Sequence, residues 1–321
     1  MAPKRISRWS AVAAAIVSLS AAAQSYPTKP VSLVVPFPAG GRTDLTGRVL
    51  AQFLKEEVAQ PVVVVNKPGA SGVLGAREVA GAAPDGYTLG LFSTGFLTTQ
   101  YTVPTPTNVK DYVLVALINY DPAAVAASSA RPWKTLPEVL AASKAKPRSL
   151  RVGINPGSSA HIFAAAFCEA AGIEATFVPF KGGSERAAAV GGGHIDLDFD
   201  IVAAMKPMRD AGKLRILGIA ADKREALYPD LPTLREQGVN LAIYSWHGVF
   251  APKGTPEATL ATLESALQKL SARREFIDQM AAQLLGVRYM NRAEFARFFA
   301  EQDAQFKALI QKLGLVATPA K

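Results

Sequence analysis

From residue 31 onward, short β-branched apolar runs alternate with segments of helical periodicity, and the alternation comes in two series. In the first, runs at 31–35, 62–65 and 87–92 are separated by helical patterns over about 43–57 and 70–82. Such an order builds βαβ units and a mainly parallel sheet. Because the runs are apolar at consecutive positions, helices are expected on both faces. Runs at 113–118 and 123–128 then carry the chain onward to a second series, with strands at 150–153, 176–178, 195–199 and 214–219. A run at 248–251 precedes helical patterns at 257–270 and 293–313 and is expected to return the chain to the first sheet. The expected fold is therefore α/β and two-lobed, a clamshell with two crossings. Lobe 1 takes residues 24–124 and 248–321, and lobe 2 residues 125–247. A hinged pair of lobes suits the enclosure of a small ligand.

The first 23 residues read differently. Lys4, Arg5 and Arg8 precede an apolar stretch from Trp9 to Leu19, and small residues Ala21 and Ala23 precede Gln24. That order predicts a secretory signal peptide over 1–23 and a periplasmic mature chain. The apolar stretch is too short to span a hydrocarbon core of about 30 Å comfortably. A single cysteine, Cys168, rules out an intramolecular disulfide and reads as a buried small hydrophobe.

The formal charge of +9 includes the three leader residues, which leaves about +6 on the mature chain. The basic residues are scattered and not interleaved with aromatics, which disfavours nucleic-acid binding. His161, His194 and His247 are the only histidines, and no metal-ligand spacing, phosphate loop or nucleophile elbow is present in the sequence. Neither metal nor cofactor is expected. Gly69, Gly72 and Gly75 have the wrong spacing for a dinucleotide fingerprint.

Two strand-to-helix turns hold the chemistry. The first, Val35-Pro36-Phe37-Pro38-Ala39-Gly40-Gly41-Arg42-Thr43-Asp44, has two glycines that let amides approach a ligand and two residues, Thr43 and Asp44, able to cap the helix that follows. The second, Asn155-Pro156-Gly157-Ser158-Ser159-Ala160-His161, repeats the arrangement with small polar residues. Each is open between an ordinary capped turn and a binding loop. Helix N-termini favour anions, so one such turn per lobe is suited to a shared anionic ligand.

Longer matches cover the rest of the mature chain. They include Tyr26-Pro27-Thr28-Lys29-Pro30, the first turn, Asn66-Lys67-Pro68-Gly69-Ala70-Ser71-Gly72, Ala83-Pro84-Asp85-Gly86-Tyr87, Val178-Pro179-Phe180-Lys181-Gly182-Gly183 and Ala251-Pro252-Lys253-Gly254-Thr255-Pro256. In these segments the sequence resembles the Bug family, extracytoplasmic solute receptors of tripartite tricarboxylate transporters. The resemblance implies a monomeric type II periplasmic-binding-protein clamshell that captures a small carboxylate for a membrane permease. It implies ligand contacts from Phe37, Ala39, Gly40, Thr43, Asp44, Ser93 and Thr94 in lobe 1. Lobe 2 would supply Asn155, Gly157, Ser158 and Asp200. Open α/β sheets place ligands at these strand ends.

This chain departs from the family at several points. Arg42 stands where a small residue is usual, and either pairs with a ligand carboxylate or turns outward to solvent. Phe180 replaces a commoner tyrosine, and Asn155-Pro156 stiffens the second turn. Three further residues carry two readings each. His161 caps or packs rather than catalyses, Lys181 neutralises a carboxylate or is solvated, and Trp246 closes over the ligand or packs at the hinge. The rival functions are a ligand-presenting partner of a sensor protein and an enzyme on the same fold using Asp44, His161 or Asp200. For the enzyme, no nucleophile, base and orienter stand at a recognisable spacing.

Overall fold

Val31, Leu33, Val34 and Val35 are all buried, as a strand covered on both faces requires. That strand, β1 (Val31–Val35), lies between two parallel neighbours, β2 (Val62–Asn66) and β3 (Thr88–Ser93). The structure is a computed structural model that describes residues 26–104 and 108–317. The expected leader over 1–23 lies outside the described residues.

Helix α1 (Arg42–Glu57) follows β1, α2 (Val73–Ala80) follows β2, and α3 (Thr94–Thr102) follows β3 directly. Next comes β4 (Tyr112–Ser128), a single 17-residue strand that merges the two runs expected at 113–118 and 123–128. The second series consists of α4 (Leu136–Ala145), β5 (Arg151–Ile154), α5 (Ser159–Ala171), β6 (Thr176–Pro179), α6 (Gly183–Gly191), β7 (Leu197–Ile201), α7 (Val202–Asp210) and β8 (Leu214–Ile219). The chain closes with β9 (Tyr244–Pro252), α8 (Glu257–Ser271), α9 (Arg274–Ala282) and α10 (Arg292–Lys312).

The strands form a two-lobed α/β architecture. The first sheet runs β2-β1-β3-β9-β4 and the second β8-β4-β7-β5-β6. Both sheets are mixed: β1–β3 and β5–β7 pair in parallel, while β4, β8 and β9 pair antiparallel. Of these, β4 and β9 carry the chain out to the second sheet and back. Tyr112 to Pro122 of β4 pair with β9, whereas Ala123 to Ser128 pair with β7 and β8. The sheets therefore meet where Pro122 faces Tyr244, with two extended strands side by side.

Aromatic packing stiffens this junction. Trp246 is fully buried against Phe295, Phe298 and Phe299 of α10. Helix α10 starts with a capping box in which Asn291 and Glu294 satisfy each other's backbone N–H groups. At its far end Lys312 pairs with Glu169 of α5 at 2.8 Å, so α10 straddles both sheets. The strand-to-helix turns after β1 and β5 are left facing each other.

Candidate ligand-binding site

The first turn leaves β1 at Val35 and enters α1 at Arg42, with Gly40 at φ 79°, a left-handed conformation that costs glycine nothing. The helix is capped at Gly41 without a side-chain bond. Asp44 reaches back instead, accepting the Gly40 N–H at 2.9 Å, Arg48 Nε at 2.8 Å and Asn66 Nδ2 at 3.0 Å. Burial pushes the Asp44 carboxyl up, but these hydrogen bonds outweigh it and hold the pKa below the ordinary value. Asn66 also donates to the Phe37 carbonyl at 3.1 Å, so the turn is tied to the end of β2. Asp44 thus shapes the turn from behind.

The second turn is built in a parallel manner. Gly157, at φ 76°, donates its N–H to His161 Nδ1 at 3.2 Å and accepts from Thr102 Oγ1 at 2.7 Å and Thr98 Oγ1 at 3.1 Å. These threonines belong to α3, so the contact bridges the two sheets. Burial lowers the His161 pKa, which keeps the ring a neutral acceptor for that N–H. Asn155 donates through Nδ2 to the Phe180 carbonyl at 2.8 Å.

Between the turns lies a cavity of about 40 Å³, and the first residues of both α1 and α5 line it: Gly41, Arg42 and Thr43 on one side, Ser158, Ser159 and Ala160 on the other. Arg42 crosses it. Its Nη2 donates to Ser159 Oγ, and its Nη1 stands 3.5 Å from Asp200 Oδ1 without a hydrogen bond to any group. The side chain is only 11% exposed, and burial lowers its pKa from a value so high that the guanidinium stays charged. Ser158 Oγ is also buried without a partner. Unspent buried donors are costly, and a ligand oxygen is one way to satisfy them.

Asp200 has its own commitments. Its Oδ2 accepts from Arg186 Nη2 at 2.7 Å and its Oδ1 from the Ile201 N–H at 2.9 Å. Arg186 is 1% exposed and also donates to Asp198 at 2.7 Å, to Asn155 Oδ1 and to the Phe199 carbonyl. Burial lowers the Arg186 pKa and its two carboxylate neighbours raise it by more. Each Arg186 nitrogen thus has a hydrogen-bond acceptor. Arg42 is the cation with a donor to spare.

Behind the first turn, Thr43 Oγ1 lies 3.1 Å from His247 Nε2, and His247 Nδ1 lies 2.8 Å from Asn119 Oδ1. Burial, and secondarily the charge of Arg42, drives the His247 pKa well below its ordinary value, so the ring is neutral. Asn119 donates to Asp121 at 2.7 Å, which completes a buried polar chain along the crossing strands.

This geometry matches known proteins. The model of the family described as "Tripartite tricarboxylate transporter family receptor" matches residues 46–315. The chain belongs to that family. Three solved structures illustrate the likeness. The periplasmic binding protein BugD is 30% identical with a TM-score of 0.85, over 91% of this chain and 100% of that one. Rpa4515 of R. palustris with adipate is 27% identical with a TM-score of 0.88, over 91% and 99%. MatC of Rhodopseudomonas palustris with bound malate is 28% identical with a TM-score of 0.82, over 89% and 100%. The receptor is accordingly a Bug-type solute-binding protein of a periplasmic family.

Of the residues singled out in the sequence, Phe37, Arg42, Thr43, Asn155, Ser158 and Asp200 line the interlobe cavity. Ala39 and Gly40 are exposed and do not line it, and the Ala39 carbonyl accepts from Ser184 Oγ at 3.2 Å. Gly157 supports the second turn from the side of α3. Ser93 caps α3, and Thr94 Oγ1 accepts the Trp246 N–H at 3.0 Å, so both hold the crossing and not the cavity wall. Trp246 packs in the aromatic cluster described above, Lys181 is exposed, and His161 braces Gly157. Arg186 also lines the cavity and was not singled out in the sequence. The signal was the pair Asp198 and Asp200 on one face of a buried strand, a placement that demands a cation.

Proposed function

We propose that the receptor captures a small carboxylate-bearing solute between its lobes and presents it to the membrane component of a tripartite tricarboxylate-type transporter. The observation that carries this reading is the buried Arg42 guanidinium with an unspent Nη1, placed between two helix N-termini. Positive helix ends and a charged fork all favour one bound anion. The adipate and malate held by Rpa4515 and MatC support the same ligand class. In this reading residues 24–124 with 248–321 form one moving body, residues 125–247 the other, and the leader over 1–23 directs export to the periplasm. Ligand binding shifts an existing equilibrium between open and closed lobes.

The test is a thermal-shift screen of the chain from Gln24 onward against aliphatic, hydroxylated, amino and aromatic carboxylates. A ligand at 100 times its dissociation constant stabilises the folded state by about 2.7 kcal/mol. A panel without a single stabilising acid would sink the capture reading, and turnover of a bound acid would replace it with an enzymatic one.

A further inference from the structure

The interlobe space has two compartments of opposite character. The inner one, about 40 Å³, has room for roughly three water molecules at 10–15 Å³ each, and therefore for a carboxylate but little more. Two buried polar atoms at it make no hydrogen bond: Arg42 Nη1, which faces Asp200 Oδ1 at 3.5 Å, and Ser158 Oγ. Phe37 and Pro38 line this compartment and also a second, outer recess of about 440 Å³.

The outer recess is apolar where it adjoins Phe37. Pro36, Pro68, Ala70 and Gly72 form one wall and Phe180 the facing one. Its one hydroxyl side chain, Ser71, donates to the Pro156 carbonyl at 2.7 Å and so is already spent. Charge is confined to the exposed Lys181 and Glu185, and Glu185 accepts the Lys181 backbone N–H at 3.0 Å. The Phe37 ring is wedged in place: side chains at Gly72 or Gly95 would each bring a Cβ to 3.3 Å from its Cζ. It forms a fixed aromatic floor between the two compartments.

We propose that the ligand is an amphipathic carboxylic acid with its carboxylate on Arg42 and Ser158 and an apolar body, aliphatic or aromatic, lying across Phe37 against Phe180. This rests on the capture reading and narrows it. A short hydroxylated acid fills the inner compartment but leaves the recess wet and its own hydroxyls opposite apolar walls. An acid of six or more carbons buries its body there. The presence of phenylalanine at 180, with no hydroxyl to offer, favours the second kind of ligand.

Isothermal titration calorimetry of the mature protein with butyrate, hexanoate, benzoate, malate and methyl hexanoate tests the proposal. Affinity is expected to rise about fourfold per added methylene between butyrate and hexanoate. Hexanoate and benzoate are expected to bind at least tenfold more tightly than malate, and the methyl ester not to bind. Phe180→Ser is expected to weaken hexanoate about tenfold without a comparable loss for malate, a contrast that loss of folding cannot produce. Malate binding as tightly as hexanoate, or no gain per methylene, overturns the proposal and leaves the capture reading standing. Failure of every acid to bind overturns the capture reading itself.

Discussion

Arg42 of the first turn donates to Ser159 and stands 3.5 Å from Asp200, so one side chain spans the cleft between the two sheets. The contact exists only while the turns face each other, and its Nη1 still lacks a hydrogen bond. In the capture reading Arg42 is both a strut for the closed form and a donor for the bound anion. Replacement by serine removes both functions. Arg42→Ser is expected to weaken binding of the identified carboxylate by about 1.5–3 kcal/mol, the range for a hydrogen bond to a charged group. Arg42→Lys keeps the charge but not the fork and is expected to lose less. Titration calorimetry on the three proteins checks this, and equal affinities would rule out direct contact by Arg42.

Arg186 has a different role. It is 1% exposed and neutralises Asp198 and Asp200, both within 2.7 Å. Arg186→Met leaves Asp198 in the interior without its cation and Asp200 with Arg42 alone, at 3.5 Å, which costs about 3–5 kcal/mol at neutral pH. Acidification is expected to shrink the deficit, because unpaired buried carboxyls hold protons more tightly and become neutral as pH falls. Urea denaturation at pH 7 and pH 5 measures both. A loss under about 1 kcal/mol at pH 7 would show that Asp200 finds its partner elsewhere.

The strands of the two series were legible because β-branched runs such as 31–35 need cover on both faces, and that demand is local. The unity of β4 was not. Asn119, Asp121 and Pro122 read as a break between apolar runs. The strand continues because Asn119 meets His247, Asp121 accepts the Gly286 N–H at 2.8 Å, and Pro122 sits at the crossing. Each of those partners is far along the chain. Helix α3 was likewise hidden, since its residues 94–99 are all buried and leave no polar stripe to set a period. At the site, the turns were visible from their glycines and prolines. The direction of Arg42 was not, because it depends on Ser159 and Asp200, contributed by the other sheet.

Asp121 gives the protein a pH-dependent penalty. Burial pushes its pKa from 3.8 up to about 7, against the opposing hydrogen bonds from Gly286 and Asn119. Between those values the unfolded chain has released the proton and the folded chain retains it. The stability contributed by this group is therefore full below about pH 4 and is lost as pH rises through about 7. Asp121→Asn cannot titrate. Its stability relative to the parent is expected to climb by roughly 2–4 kcal/mol between pH 4 and pH 8 and then level off. Parallel urea denaturation series reveal the slope, and a flat difference would mean that Asp121 is ionised in the fold.

Gly157 links backbone conformation to closure. Its φ of 76° is left-handed, and a Cβ there would stand 2.8 Å from Thr102 Oγ1 and 3.0 Å from Val103 Cγ1, on the far side of the cleft. Gly157→Ala therefore has two costs of different origin. The left-handed backbone costs about 1–2 kcal/mol in any state of the lobes. In the capture reading the collision with Thr102 and Val103 arises only when the lobes meet, and so penalises the closed form alone. Ligand affinity is expected to fall at least about tenfold, equivalent to about 1.4 kcal/mol. Small-angle scattering with saturating ligand should show a larger radius of gyration than the parent under the same conditions. An unchanged affinity alongside a lowered unfolding free energy would show that the lobes close without bringing Gly157 against α3.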